Sequence, residues 1–130
     1  MNDKVLTQFM AVSKALADDK RVRIVALLRH RCLCVCQITA VLNLAPSTIS
    51  KHLSILRQAR LIEMEKEGHW IHCRLTKVAS SHPAAGALRW VASAIAGSVR
   101  VNEDQKSLRA ILKVEPEEIC RRQLRRRTMP

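Results

Sequence analysis

The chain has 130 residues, enough for one domain with an appendage. It is 48% hydrophobic and 26% charged, has no apolar run near the ~20 residues that span a bilayer, and opens without a secretory apolar segment, so it is expected to be cytoplasmic, without a membrane span or membrane partner. The net charge of +12 favours a polyanionic partner, either nucleic acid or an anionic membrane surface.

Phe9, Trp70 and Trp90 are the only aromatic residues, so the core must be aliphatic, which suits helices. Residues 4–16 carry Val5, Phe9, Val12 and Leu16 at helical spacing, with Asp3 placed to cap the start. A second helix is expected over 18–30, opening on Asp18 and Asp19 and closing on basic residues, which complements its dipole. A short third helix should cover 35–42 with Ile38, Val41 and Leu42. After a turn, Pro46 begins a fourth helix, where its missing N–H costs nothing. That helix, to about residue 59, buries Ile49, Leu53 and Leu56. Its other face offers Ser47, Thr48, Ser50, Lys51, His52 and Arg57.

A hairpin follows: strand 61–65, a turn at Lys66-Glu67-Gly68, and a return strand over 69–75, with Gly68 supplying the permissive backbone. Residues 84–99 form an Ala-rich helix, and 104–113 and 116–126 two further helices ending in an Arg-rich run. The predicted fold class is mainly α with a small β-hairpin, a winged helix-turn-helix whose small aliphatic core suits oligomerisation. Residues 1–100 form the DNA-binding domain, and 101–130 a helical, Arg-rich C-terminal extension.

Two helices, a short turn and a hairpin define a winged helix-turn-helix, whose recognition helix buries one face and offers the other to the major groove. The hydroxyls of Ser47, Thr48 and Ser50 permit close approach to DNA, Lys51 and His52 reach bases or phosphates, and Arg57 a phosphate. Lys66 and His69 serve the wing. Double-stranded operator DNA is therefore the expected partner.

The five cysteines include three within Cys32-Leu33-Cys34-Val35-Cys36. This is a poor disulfide framework and a better soft-ion site. Three sulfurs suit pyramidal As(III) or Sb(III), whereas zinc would need a fourth ligand. On a helix, residues two apart point about 200° apart. On a strand, alternate residues lie roughly 6.5 Å apart. Ion capture by all three must therefore deform the segment that leads into the third helix. Arg29, His30, Arg31 and the helix N-terminus are expected to lower the thiol pKa values. Cys73 reads as a buried core residue, and Cys120 as a structural cysteine or an additional ligand.

Cys34-Val35-Cys36 resembles the metal box of the arsenic-repressor (ArsR/SmtB) family. The Pro46-Ser47-Thr48-Ile49-Ser50-Lys51-His52-Leu53 run resembles that family's recognition helix, and Gly68-His69-Trp70-Ile71-His72-Cys73-Arg74-Leu75 its wing return strand. The Ala17-Asp18-Asp19-Lys20-Arg21-Val22-Arg23-Ile24 run is similar to its second-helix opening. The resemblance covers about residues 5–80. It implies a dimeric winged helix-turn-helix, a homodimer built on the first and fifth helices with residues 1–100 as the DNA-binding and dimerisation domain, and repression relieved by ion binding. The chain departs from the family pattern in having Ala45 for a capping Ser, Arg60 for Gly, Cys32 for an acid, and Gln37 for Asp.

The sequence thus reads as a repressor rather than an enzyme. As(III) or Sb(III) is the inducer, held by Cys32, Cys34 and Cys36 with Cys120 as a further candidate, and no organic cofactor is expected. Sensing of Cd, Zn or Hg, or thiol oxidation to a disulfide, remains open as an alternative. A small thiol enzyme would need a phosphate-cradling loop around a cysteine, and the sequence has none.

Overall fold

Local chemistry sets where the helices start. In the computed structural model, residues 3–128 are described, with side chains as far as Gln123. The Arg125–Arg127 side chains of the expected basic tail lie outside that description. Asp3 caps α1 (Lys4–Ala15), its Oδ1 accepting the Leu6 N–H at 3.2 Å. Asp18 caps α2 (Asp19–Leu27), accepting from the N–H groups of Lys20 at 2.8 Å and Arg21 at 3.3 Å. Burial pushes the Asp18 carboxyl up, but these hydrogen bonds and the Arg21 charge outweigh it and hold it below its usual value.

The next elements are β1 (Leu33–Cys34), α3 (Val35–Leu42) and α4 (Pro46–Gln58). Pro46 occupies the first turn of α4, and Ala45 provides no side-chain cap, as the sequence indicated. α4 ends in a Schellman motif. Leu61 N–H bonds the Leu56 carbonyl at 3.0 Å and Arg60 N–H the Arg57 carbonyl at 2.9 Å. Leu56 and Leu61 are both buried. Closing this motif forces Arg60 to φ +62°, a left-handed conformation that costs a residue with a Cβ about 1 kcal/mol. Arg60→Gly is therefore expected to raise stability by about 1 kcal/mol, read as a higher urea midpoint at unchanged slope.

The wing consists of β2 (Ile62–Glu67) and β3 (Trp70–Leu75). Lys66 pairs with Ile71 and Glu67 with Trp70. The turn therefore falls at Gly68-His69, not at residues 66–68, with Gly68 at φ +62°. β1 adds to β3 through Leu33↔Cys73 and Cys34↔His72, so the wing is part of a three-stranded antiparallel sheet of order β1-β3-β2.

α5 (Pro83–Ala94), α6 (Val99–Leu112) and α7 (Pro116–Thr128) complete the fold. Two expected boundaries shift. α2 stops at Leu27 because Leu28 caps it and turns the chain towards β1. The stripe expected over 84–99 divides because Ser98 starts a new helix, its Oγ accepting from Val101 N–H at 3.2 Å. α6 then begins at residue 99 rather than 104, and the boundary expected at 100 falls inside it.

The core joins α2, α3 and α4 through Ile24, Leu27, Ile38, Ile49, Leu53 and Leu56, with Leu61, Ile62 and Cys73 from the sheet side. α6 packs on α2 and α3, and α7 on α3. Asp104 of α6 is 5% exposed and receives both Nε and Nη2 of Arg23, at 2.8 and 3.0 Å. No helix among the described residues is long and apolar enough to cross a membrane.

Candidate nucleic-acid interface and thiol centre

α4 buries Ile49, Leu53 and Leu56 and turns Ser47, Ser50, Lys51 and Arg57 outward. Thr48 and His52 are half-buried, and Lys66 and His69 stand exposed at the wing tip. The eight sequence-predicted residues thus lie on α4 and on the hairpin that follows it. Acidic side chains on the wing are paired. Arg74 binds Glu63 at 2.9 Å and Glu65 at 3.3 Å.

His52 is held from behind. Arg21 Nη1 lies 3.2 Å from His52 Nδ1. A guanidinium can only donate, so Nδ1 accepts and the other ring nitrogen carries the proton, as a donor. Arg21 also donates to the carbonyls of Ala15 at 2.6 Å and Lys14 at 3.2 Å. One side chain thereby ties the end of α1 and the start of α2 to the recognition helix. Sequence reasoning missed this role, since His52 is 31 residues away and no local pattern marks the pairing.

The thiols divide into two groups. Cys34 caps α3. Gln37 Oε1 accepts the Cys34 N–H at 2.9 Å, and the Cys34 sulfur faces the backbone N–H groups of Gln37 and Cys36, a capping box built on a thiol. Cys34 is 3% exposed, Cys73 is fully buried beside it in the sheet, and Cys32 is exposed. Cys36, in the first turn of α3, is disulfide-bonded to Cys120 of α7, with their Cα atoms 5.7 Å apart. This corrects the expectation of a poor disulfide framework. The docking of α7 on α3 brings together two cysteines that lie 84 residues apart.

A second correction concerns the thiol pKa values. Burial pushes the Cys34 thiol up, and the nearby backbone N–H groups only partly offset it. Burial pushes Cys73 up to about 12, helped by the proximity of Cys32 and Cys34. Arg29, His30 and Arg31 are exposed, so they do not supply the positive, desolvated surroundings that would stabilise a thiolate at Cys34.

Chemically, the sulfur-rich donor set fits a thiophilic ion. Cys32, Cys34 and Cys36 do not converge, however, and among the described residues no group of three or more His, Cys, Asp or Glu is arranged to hold a metal ion.

A supported recognition helix followed by a hairpin wing defines a winged helix-turn-helix DNA-binding protein. The model of the bacterial regulatory protein, arsR family, matches residues 18–64. The chain is 37% identical over 94 residues to the arsenic resistance transcriptional regulator ArsR1 of Pseudomonas putida, covering 72% of this chain and 67% of that one. It is 42% identical over 64 residues to the arsenical resistance operon repressor of Escherichia coli, covering 48% of this chain and about half, 55%, of that protein. The chain belongs to the ArsR family and is a transcriptional regulator, not an enzyme. Among solved structures, the homodimeric winged helix-turn-helix DNA-binding domain Mb0332 from Mycobacterium bovis aligns with TM-score 0.60 at 26% identity, over 72% of this chain and 83% of that one. HlyU from Vibrio cholerae aligns with TM-score 0.61 at 22% identity, over 72% and 97%, a likeness of fold alone.

Proposed function

We propose that the chain is a metalloid-responsive repressor that binds operator DNA as a homodimer and is released when As(III) or Sb(III) is taken by cysteine sulfur. Cys34 and Cys36 form the centre of the ligand set, with a third sulfur from Cys32 or Cys120. The observation that carries this reading is the thiol capping box at the start of α3. Capture of the Cys34 sulfur removes a helix cap, and α3 leads through residues 43–45 into the recognition helix. The arsenic-repressor relatives at 37–42% identity support the same reading.

An apolar strip supports the dimer. Val5, Leu6, Phe9 and Met10 of α1 and Trp90 of α5, 67% exposed, leave large side chains in water, and α1 packs on α5. A contiguous patch of this kind marks an interface, and the homodimeric Mycobacterium bovis domain points the same way. The elements up to α5 carry DNA binding and dimerisation, and α6 and α7 form the helical, basic extension packed on that unit.

Proton balance favours As(III) over cadmium. Arsenous acid exchanges its hydroxyls for thiols and releases water, with no net protons. Cadmium must displace protons into solvent, at a cost that grows as burial raises the Cys34 pKa. DNA release by arsenite is therefore expected to vary little between about pH 6.5 and 8, and release by cadmium to strengthen as pH rises. Fluorescence anisotropy of labelled operator, titrated with each ion, reads both. Release by cadmium but not by arsenite would overturn the metalloid reading.

The DNA face predicts a salt signature. Lys51→Ala should weaken binding about equally for all sequences and flatten the slope of log K against log salt by about 1.8, the loss of one phosphate contact from each protomer of the dimer. An unchanged slope would remove Lys51 from the phosphate-contacting set.

A further inference from the structure

We propose that Cys36 and Cys120 form a reversible oxidation site whose disulfide fastens α7 to the start of α3 and withdraws Cys36 from ion binding. The withdrawal rests on the reading of Cys34 and Cys36 as sensor thiols. The site itself does not.

Contacts independent of the sulfurs prepare the meeting of the two residues. Ile119, beside Cys120, is 2% exposed, buried where α7 packs on α3. Gln123, one turn further on, donates its Nε2–H to the Cys36 carbonyl at 2.7 Å. Ile119, Cys120 and Gln123 share one face of α7, so α7 presents the Cys120 sulfur to the first turn of α3 whether or not the bond exists. The 5.7 Å between the Cα atoms lies within the range a disulfide spans.

Both cysteines are half-buried, within reach of a small oxidant. The other thiols are placed differently. Cys34 and Cys73 are buried, and Cys32 is exposed.

The oxidant is a hydroperoxide. The thiolate of one cysteine attacks one peroxide oxygen and the O–O bond breaks, giving a sulfenic acid and, for hydrogen peroxide, hydroxide, which takes up the proton the thiol had released and becomes water. The second thiol then attacks that sulfur. The S–O bond breaks, the S–S bond forms, and a second water leaves. Two electrons pass from the sulfur pair to the two peroxide oxygens. A thiol reductant reverses the change by exchange.

The consequence is competition at one atom. The Cys36 sulfur cannot bond Cys120 and an ion at once, so the oxidised repressor stays on its operator in arsenite while the reduced one responds. Bound As(III) conversely protects Cys36 from oxidation.

The test treats the full-length protein with stoichiometric hydrogen peroxide, then applies peptide mapping and arsenite titration of the DNA complex. The expected product has lost the mass of two hydrogens and yields a linked Cys36–Cys120 peptide. Its arsenite sensitivity should fall at least about tenfold, as the competent fraction falls. A phosphine reductant, which does not compete for As(III) as a dithiol would, should restore it. Cys120→Ser should give no linked peptide, and its arsenite response, whatever its level, should be the same before and after the same treatment.

A bond mapped to another pair, or an oxidised protein that responds like the reduced one, would overturn the proposal. If the reduced wild type ignores arsenite, the sensor reading fails and the gating with it, while the mapped bond still decides the oxidation site.

Discussion

Asp104→Ala is expected to destabilise the fold by about 3–5 kcal/mol, the cost of leaving one partner of a buried ion pair alone. The Arg23 side chain is 15% exposed and that of Asp104 6%, so neither charge recovers its hydration when the other is removed. The two hydrogen bonds form the bidentate fork that a guanidinium and a carboxylate make best. The Asp104 hydrogen bonds outweigh burial and raise the already high Arg23 pKa.

The cost should shrink when both partners are replaced by apolar residues of similar volume, because no charge is then stranded. Arg23→Met with Asp104→Leu is expected to recover most of the stability. Asp19→Ala is the control. Asp19 is exposed and faces Lys20 at 3.4 Å, and its loss should change stability by less than about 1 kcal/mol. Urea unfolding measures all three. A small effect of Asp104→Ala would mean that α6 rests on the winged unit without sharing its folding transition.

What the sequence disclosed follows from the range of each interaction. Asp3, Asp18 and Pro46 act on backbone groups within a turn of themselves, so the starts of α1, α2 and α4 were legible. The burial of Ile49, Leu53 and Leu56 was legible for the same reason: a period of 3.6 residues is a local property. Arg60 was marked only by the resemblance, which implies Gly there, and its φ of +62° shows why Gly suits the position.

β1 was not legible. Two residues carry no periodicity, and Leu33 and Cys34 become a strand only because β3 supplies partners some forty residues later. The wing turn shifted for a related reason. The cross-strand pairing of Lys66 and Glu67 outweighed the turn tendency of residues 66–68. The Arg23–Asp104 pair and the Cys36–Cys120 contact depend on where α6 and α7 dock. That docking follows from the packing of Leu108 and Ile119, not from any motif. The raised pKa of Cys34 was hidden likewise, since basic neighbours in sequence say nothing of burial.

The largest functional effect is expected at Cys34 and Cys36. Cys34→Ser and Cys36→Ser should each bind operator within about twofold of wild type yet need at least about 100-fold more arsenite for release. Changes to groups that merely orient a metal ligand already cost 10–100-fold, and loss of a ligand costs more. Cys32→Ser and Cys120→Ser, assayed under reducing conditions, separate the two candidate third sulfurs. The true ligand is the one whose loss also raises the arsenite requirement.

Cys73→Ser is the folding control. It puts a hydroxyl in a fully buried site and should cost about 1–3 kcal/mol, with the arsenite response of the folded fraction unchanged. The geometry explains why the effect should appear in release rather than in DNA affinity. Cys34, the extended N-cap of α3, turns its sulfur onto the helix's own N–H groups, while the Cys36 sulfur is directed at Cys120, so one ion joins them only when the first turn unwinds and the Cys34–Gln37 capping box opens. In the proposed mechanism an empty site leaves α3, and the recognition helix beyond it, in the DNA-competent arrangement, and serine in place of cysteine preserves that state. Binding energy is thereby spent on the state that does not hold DNA, and by linkage operator DNA must weaken arsenite binding by the same factor. Equal arsenite affinity with and without operator would show that the thiols and the DNA face are uncoupled, however tightly the ion is held.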